Sequence, residues 1–234
     1  MRISPKNLLL LLWLVVYRPA ASQEADPEIR LLLQLDSVAK SPSSARHFAG
    51  LYLETTARAI AFYGEAAPAE KEFIERLELN FAGYFFRAAA LPPGERSPVW
   101  KPYFSDSSLT AFQYQLLGIN AHINGDIWQA LVTGFTREEL RVHRRHFIRF
   151  QQGLVIQFRQ FYRDNVTTTP VTRLLDAGTG GLSRAFGIMM LSRWRKRQYR
   201  LAQFYYSDPG KFNRLLQQIT RKKERIDRLV FRHL

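Results

Sequence analysis

Apolar residues recur three and four positions apart along nearly the whole chain, the spacing that places them on one face of an α-helix. Short breaks rich in proline, glycine and serine separate these segments, and no stretch alternates like a half-buried strand. The pattern predicts an all-α fold, a single compact multi-helix domain of about seven or eight helices. The predicted helices cover residues 27–40, 45–63, 69–91, 108–132, 136–163, 171–176, 182–206 and 211–234.

The two middle helices of this pattern, residues 108–132 and 136–163, are separated by only about four residues. Thr136 and Glu139 have the spacing of a capping box, which marks the start of the second helix. We therefore expect a central antiparallel helical hairpin. In that register, residues whose numbers sum to about 269 lie opposite each other.

The first 22 residues have the organisation of a signal peptide. Arg2 and Lys6 precede an unbroken apolar run, residues 8–16, and three small residues, 20–22, follow it. We expect cleavage near Ser22, which leaves residues 23–234 as a single helical domain that is secreted or periplasmic. The run is shorter than the roughly 20 residues that span a bilayer. The alternative is that it remains as an N-terminal membrane anchor.

Composition changes this picture in two ways. The chain contains no cysteine, which excludes disulfides, cysteine nucleophiles and thiolate metal sites. The net charge is +14, and the excess is concentrated in a basic C-terminal helical segment, residues 193–234, with 13 Lys and Arg against three acids. Candidates for binding an anionic envelope or lipid surface are Arg195, Lys196, Arg197 and Arg200.

The alternative for this segment is a solvated basic face that binds no partner and only aids solubility. The sequence carries no recognisable nucleic-acid-binding motif, and export separates the chain from such partners. We therefore expect no specific nucleic acid partner. We also expect a monomer.

The most informative stretch is residues 118–131, an apolar helix that carries two amides, an imidazole and a carboxylate within seven positions. Burying such groups costs free energy unless each finds a hydrogen-bond partner. At about 100° per residue, Asn120 and Asn124 lie one turn apart in the middle of the apolar arc. His122 and Asp126, also one turn apart, lie at the other edge of the core stripe.

Across the predicted hairpin, Asp126 comes opposite His143, and His122 comes opposite His146. Four potential ligands would then converge between two helices, as in helical bundles that hold metals through carboxylates and imidazoles. One hypothesis is therefore a divalent metal cofactor, an ion of zinc, iron or manganese. In an enzyme, this ion would activate water or a substrate oxygen.

Two alternatives to the metal stay open. One is a structural polar network, in which Asn120, Asn124 and Gln151 satisfy buried groups. The other is a metal-free catalytic site, in which His122 and Asp126 transfer protons.

An irregular aromatic stretch, residues 92–107, precedes the motif helix. Such a loop either covers a site or packs against the edge of the core. Glu78, on an earlier helix, could reach a core site, but we expect it to be exposed to solvent. The function that follows is a metal- or acid/base-dependent hydrolase with its cleft beneath this loop. The alternative is a non-catalytic envelope protein that binds anionic surfaces through its basic segment.

The motif also carries a family resemblance. Gly118-Ile-Asn-Ala-His-Ile-Asn-Gly-Asp126 resembles the glycine-x-asparagine-alanine-histidine-isoleucine-asparagine-x-aspartate signature of domain-of-unknown-function family 5995. Residues 48–56 and 75–84 agree with the same family, and the resemblance covers most of residues 30–205. It implies a helical fold and a shared polar centre, and it supplies no activity.

The chain departs from that family at one point. Where the resemblance leads us to expect an aspartate-phenylalanine pair and a later asparagine, this sequence has His146-Phe147 and Gln151. If the family uses that carboxylate, the chemistry of this chain differs from that of its relatives.

Overall fold

A computed structural model describes residues 26–161 and 182–233, with side chains for residues 26–155 and 192–232. The predicted signal peptide and the predicted helix 171–176 lie outside the described residues. The described chain is helical and contains no strand, which confirms the predicted all-α fold. Its helices are α1 Pro27–Ala39, α2 Ala45–Tyr63, α3 Pro68–Ala90, α4 Ala111–Ala121, α5 Ile127–Gly134, α6 Arg137–Val142, α7 Arg144–Phe161, α8 Leu182–Ser207 and α9 Pro209–His233.

A π-helical segment, His122–Asp126, joins α4 to α5 in one continuous helix. Single π-turns of this kind insert an extra residue into a helix and are frequent at functional sites. The segment coincides with the polar part of the motif. With this segment counted inside one helix from 111 to 134, the described residues form eight helices.

Local sequence signals fix where several helices begin. Thr110 and Gln113 form a capping box at the start of α4. The capping box expected at Thr136 and Glu139 is formed at the start of α6, which confirms that prediction. Both boxes satisfy backbone N–H groups that the first turn of a helix leaves without partners.

The continuous helix from α4 to α5 runs through the centre of the domain. It contacts α2, α3, α8 and α9. Its close packing depends on two glycines, because a Cβ at Gly118 would overlap the ring of Phe48, and one at Gly125 would overlap Val99. Among the described residues, no helix combines the length and the apolar character that are required to cross a membrane.

The main packing partners of the two middle helices differ from those that the predicted register gives. The main partners of α5 are α3 and α8, and those of α7 are α2, α3 and α8. Helix α8 contacts both, with the ring of Tyr199 4.4 Å from that of Phe147 and the hydroxyl of Tyr206 2.8 Å from the carbonyl oxygen of Val132. The register based on the short connection is therefore wrong, because α5 and α7 each pack against α8 where they were expected to pack against each other.

Candidate functional site

His122 and Asp126 form a buried pair within the π-helical segment. The imidazole Nδ1 lies 2.9 Å from Asp126 Oδ2. Trp100, from the aromatic stretch before α4, donates its indole N–H to the same oxygen at 2.9 Å. Since His122 is 2% exposed and Asp126 and Trp100 are each 1% exposed, the three groups form one enclosed unit.

Aromatic rings surround the imidazole of His122. Phe81 stacks on it, with ring centroids 3.4 Å apart, and Tyr52 meets it edge-on at 4.7 Å. Phe48 and Phe85 approach it edge-on from farther away. The second ring nitrogen, Nε2, is buried and has no hydrogen-bond partner among the described residues. The ring is thus fixed at one nitrogen and uncommitted at the other.

Burial favours the neutral forms of this pair. Desolvation raises the pKa of Asp126 well above its usual range, opposed by the hydrogen bond from Trp100 and the positive charge of Lys223. Desolvation also holds the pKa of His122 well below its usual range, and the charge of Arg195 acts in the same direction. A neutral imidazole has one N–H, so one ring nitrogen donates and the other accepts, and the bond between Nδ1 and Asp126 Oδ2 fixes the orientation of the ring.

A second buried pair lies beside the first. Arg195 of α8 places a guanidinium nitrogen 3.7 Å from Glu78 Oε1 of α3, and its guanidinium lies 5.8 Å from the ring centroid of Phe81. Burial raises the pKa of Glu78, opposed by Arg195. Three polar atoms of this region, Tyr52 Oη, Glu78 Oε1 and Arg195 Nε, are buried without a hydrogen-bond partner among the described residues. Such atoms are rare in folded proteins and call for an explanation.

The position of Arg195 corrects the proposed anionic-surface set. It is 9% exposed and faces Glu78 in the interior, so it is not part of a binding surface. Lys196 and Arg200 are exposed. Arg197 is half-buried and donates a hydrogen bond to Gln218 of α9 at 3.0 Å.

The two amides of the motif occupy a different environment. Asn120 donates its side-chain N–H groups to the backbone oxygen of Lys223 at 3.0 Å and to Asp227 Oδ1 at 2.8 Å. Asn124 donates to Asn120 Oδ1 at 2.8 Å, and Gln198 donates to the backbone oxygen of Asn124 at 3.1 Å. Lys223 and Asp227 are themselves paired at 2.7 Å. This network ties the motif helix to α8 and α9.

The four proposed metal ligands separate into two pairs. His122 pairs with Asp126, whereas the Nδ1 atoms of His143 and His146 lie 3.0 Å apart beside Phe73. Within the described residues, no group of three or more His, Cys, Asp or Glu side chains has the geometry to hold a metal ion. The predicted convergence is wrong because it depended on the hairpin register.

Gln151 of α7 is buried, and its Nε2 has no hydrogen-bond partner among the described residues. It does not appear in the hydrogen bonds that join Asn120 to Asn124, with which the structural network grouped it.

We call the His122–Asp126 pair, the Arg195–Glu78 pair and Trp100 the buried centre. Two of its residues, Trp100 and Glu78, were not among the predicted site residues. Glu78 is 4% exposed, contrary to the expectation of solvent exposure. The signal was present, because Glu78 falls between Ile74 and Phe81 on the apolar stripe of α3 at helical spacing. The aromatic stretch before α4 covers the centre through Trp100, a role that its composition allowed but did not specify.

A small cleft of about 210 Å³ lies near this second pair. Its lining includes Tyr63 and Phe150, with Glu70 and Arg149 joined by an ion pair of 2.7 Å. The guanidinium of Arg195 lies 5.8 Å from the ring centroid of Phe150. Phe150 therefore borders the cleft and also lies near the guanidinium of Arg195.

Comparisons with known proteins give a family and no activity. No curated protein and no solved structure matches the chain. The model of a family of unknown function, DUF5995, matches residues 29–233, in agreement with the resemblance of the central motif. The chain therefore belongs to the DUF5995 family.

Proposed function

We propose that this chain is an acid/base-dependent hydrolase in which His122 and Asp126 transfer protons. The observation that carries the proposal is the state of the imidazole: Nδ1 is bound to Asp126, whereas Nε2 is buried without a hydrogen-bond partner among the described residues. A ring oriented through one nitrogen and open at the other is the arrangement that general acid–base catalysis requires. Trp100 supports the arrangement, because its hydrogen bond fixes the carboxyl that fixes the ring.

The pair has a simple route for proton transfer. In its reactive form the pair has Nδ1 protonated and Asp126 ionised. Nε2 takes a proton from water as the water oxygen bonds to the substrate, and Nδ1 gives its proton to Asp126. As the scissile bond breaks, Nε2 gives its proton to the leaving group, and Asp126 returns its proton to Nδ1, so a hydrolytic cycle leaves the pair unchanged.

Neighbouring groups fit the charge changes of such a reaction. Arg195 and Tyr52 offer buried donors that have no partner among the described residues, and donors of this kind stabilise negative charge that develops in a transition state. The acid/base form is favoured over the metal-dependent form, because the described ligands come in pairs.

The test uses the full chain and a panel of chromogenic carboxylic esters, phosphate esters, anilides and glycosides near neutral pH. Wild-type protein is expected to hydrolyse at least one class. His122→Gln should slow it by roughly 100-fold or more, the usual contribution of a proton-transferring residue. The melting temperature should change little, and the matched control His143→Gln should retain the rate.

Two results would overturn the proposal: no class is hydrolysed above the solvent rate, or His122→Gln retains the wild-type rate. Dialysis against a chelator should leave the rate unchanged. A loss of rate that zinc or manganese restores would support the metal-dependent form instead.

A further inference from the structure

Helix α9 carries a stripe of positive charge on its outer side. Six exposed cations lie within an arc of about 120° at helical periodicity and extend over about 27 Å of its length. We name this set the basic stripe: Arg214, Arg221, Lys222, Arg225, Arg228 and Arg232. Glu224 is the one exposed carboxylate on the described length of α9, so the stripe is not balanced along its own helix.

The opposite face of α9 is committed to the interior. Ile219 and Val230 are buried there, together with the Lys223–Asp227 pair that binds Asn120. The helix is thus held by its inner face against α4, the π-helical segment and α8. The stripe is presented on a fixed support, and binding through it does not require α9 to leave the domain.

Helix α8 widens the charged surface. Lys222 lies 5.0 Å above the ring of Trp194, and Arg193 is exposed one residue before that ring. Desolvation lowers the pKa of Lys222, and the charges of Arg197 and Arg193 lower it further. Crowding like charges in this way destabilises the folded domain, and a negatively charged partner would offset that cost.

Large apolar side chains are exposed at one end of the stripe. Leu229 is 51% exposed and lies within the arc of the stripe, whereas Phe231, 37% exposed, lies about 160° around the helix from Leu229. Phe112, at the start of α4, is 43% exposed. It lies at the same end, because its neighbour Gln113 donates a hydrogen bond to the backbone oxygen of Val230 at 3.2 Å.

We propose that the basic stripe docks on the surface of a bilayer that contains anionic phospholipid, with α9 parallel to the membrane plane and Leu229 entering the headgroup region. Charge complementarity selects the anionic headgroups, and the exposed apolar side chain of Leu229 among the cations matches the mixed character of the interface. Nucleic acid would match the charge but would leave the aliphatic side chain of Leu229 without a suitable environment. Docking is independent of the proposed hydrolase chemistry, because no member of the stripe belongs to the His122 centre.

The test measures binding of the full chain to vesicles of phosphatidylglycerol and phosphatidylcholine, with pure phosphatidylcholine vesicles as the uncharged reference. The triple variant Arg221→Ser/Arg225→Ser/Arg228→Ser removes three charges from the stripe. At about one kcal/mol per basic residue near an anionic surface, it should bind roughly 100-fold more weakly. Wild-type binding should fall steeply as salt is added.

The matched control is Arg137→Ser/Arg144→Ser/Arg145→Ser, which removes the same charge from exposed positions on α6 and α7. It should retain most of the affinity. All variants keep the apolar run at residues 8–16, so a contribution from that run cancels between them. Leu229→Ser should weaken binding several-fold without a change in its salt dependence.

Three outcomes would overturn the inference. The two triple variants would lose affinity equally if only net charge mattered. Equal binding to the uncharged vesicles would remove the need for anionic lipid. Tighter binding to a short DNA duplex than to the vesicles, at the same salt, would assign the stripe to a different polyanion. Each outcome is separate from the result of the hydrolysis panel.

Discussion

The central motif has an amide half, Asn120 and Asn124, and an imidazole half, His122 and Asp126, and the two differ in how their polar groups are satisfied. Asn120 and Asn124 face α9, where their side-chain N–H groups reach acceptors on Lys223, Asp227 and Asn120 itself. His122, two residues away and equally buried, is bound at Nδ1 and open at Nε2. Both halves come from the same turn and a half of helix, so burial alone does not separate them.

The difference shows how structural and chemical roles divide along the motif. A buried polar group that is fully hydrogen-bonded contributes to stability and specificity. One that keeps an unused donor or acceptor costs stability, and such costs are concentrated where a protein carries out chemistry. We therefore assign the amide half to the attachment of α9 and the imidazole half to function.

The largest expected change in stability comes from disrupting the hydrogen bonds of the amide half. Asp227→Leu would leave the ammonium of Lys223 buried without its partner and would remove one acceptor from Asn120. The expected loss in the free energy of unfolding is about 3–5 kcal/mol, the range for a buried ion pair with one member removed. Urea denaturation of the full chain measures it.

The control for that variant removes both charges. Lys223→Met/Asp227→Leu should recover most of the lost stability, because no charge remains buried alone. If Asp227→Leu alone cost less than about 1 kcal/mol, a value typical of an ordinary hydrogen bond, the assignment of the amide half to structure would fail.

A smaller effect should appear in the imidazole half as a dependence on pH. Burial lowers the pKa of His122 in the folded protein below its ordinary value of 6.5. Below pH 6.5 the unfolded chain therefore binds a proton that the folded protein does not, and stability falls as the pH falls. The slope attributable to His122 reaches at most about 1.4 kcal/mol per pH unit.

His122→Gln removes this titration and serves as the reference. The difference in unfolding free energy between wild-type and variant should shift against the wild type between pH 6.5 and pH 5. A difference that stays constant over this interval would mean that His122 titrates alike in both states, which contradicts its burial.

Local periodicity predicted most of the helices, and it placed His122 beside Asp126 correctly because the two are four residues apart. It missed the π-helical turn, because an inserted residue leaves no distinctive mark in apolar spacing. It also missed the partners of the amides. Lys223 and Asp227 lie about 100 residues away, and the basic composition of their segment indicates a surface helix.

The errors about Arg195 and Glu78 have a shared cause. Both were interpreted by charge, although each occupies the apolar stripe of its helix. Trp194, Gln198 and Ala202 are buried around Arg195 at helical spacing, and this stripe was available in the sequence. Their pairing was not available, because it depends on how α8 approaches α3.

The metal prediction failed because it depended on how whole helices pack against each other. His143 and His146 were grouped with His122 by a register that assumed two consecutive helices pack along each other. That assumption ignored a later helix, α8, which competes for the same apolar faces. Short connections constrain neighbours along the chain, but the largest buried area decides which helices pack together.

The most direct test of the division is the rate of hydrolysis by Asp126→Asn, measured on the substrate class that the wild-type protein accepts. The amide still accepts the hydrogen bond from Trp100 and can face Nδ1, so the unfolding free energy should change by only about 1 kcal/mol. It cannot relay a proton, however, and kcat/KM should fall by roughly 100-fold or more. A variant that remains folded and keeps the wild-type kcat/KM would contradict the assignment of the imidazole half to function.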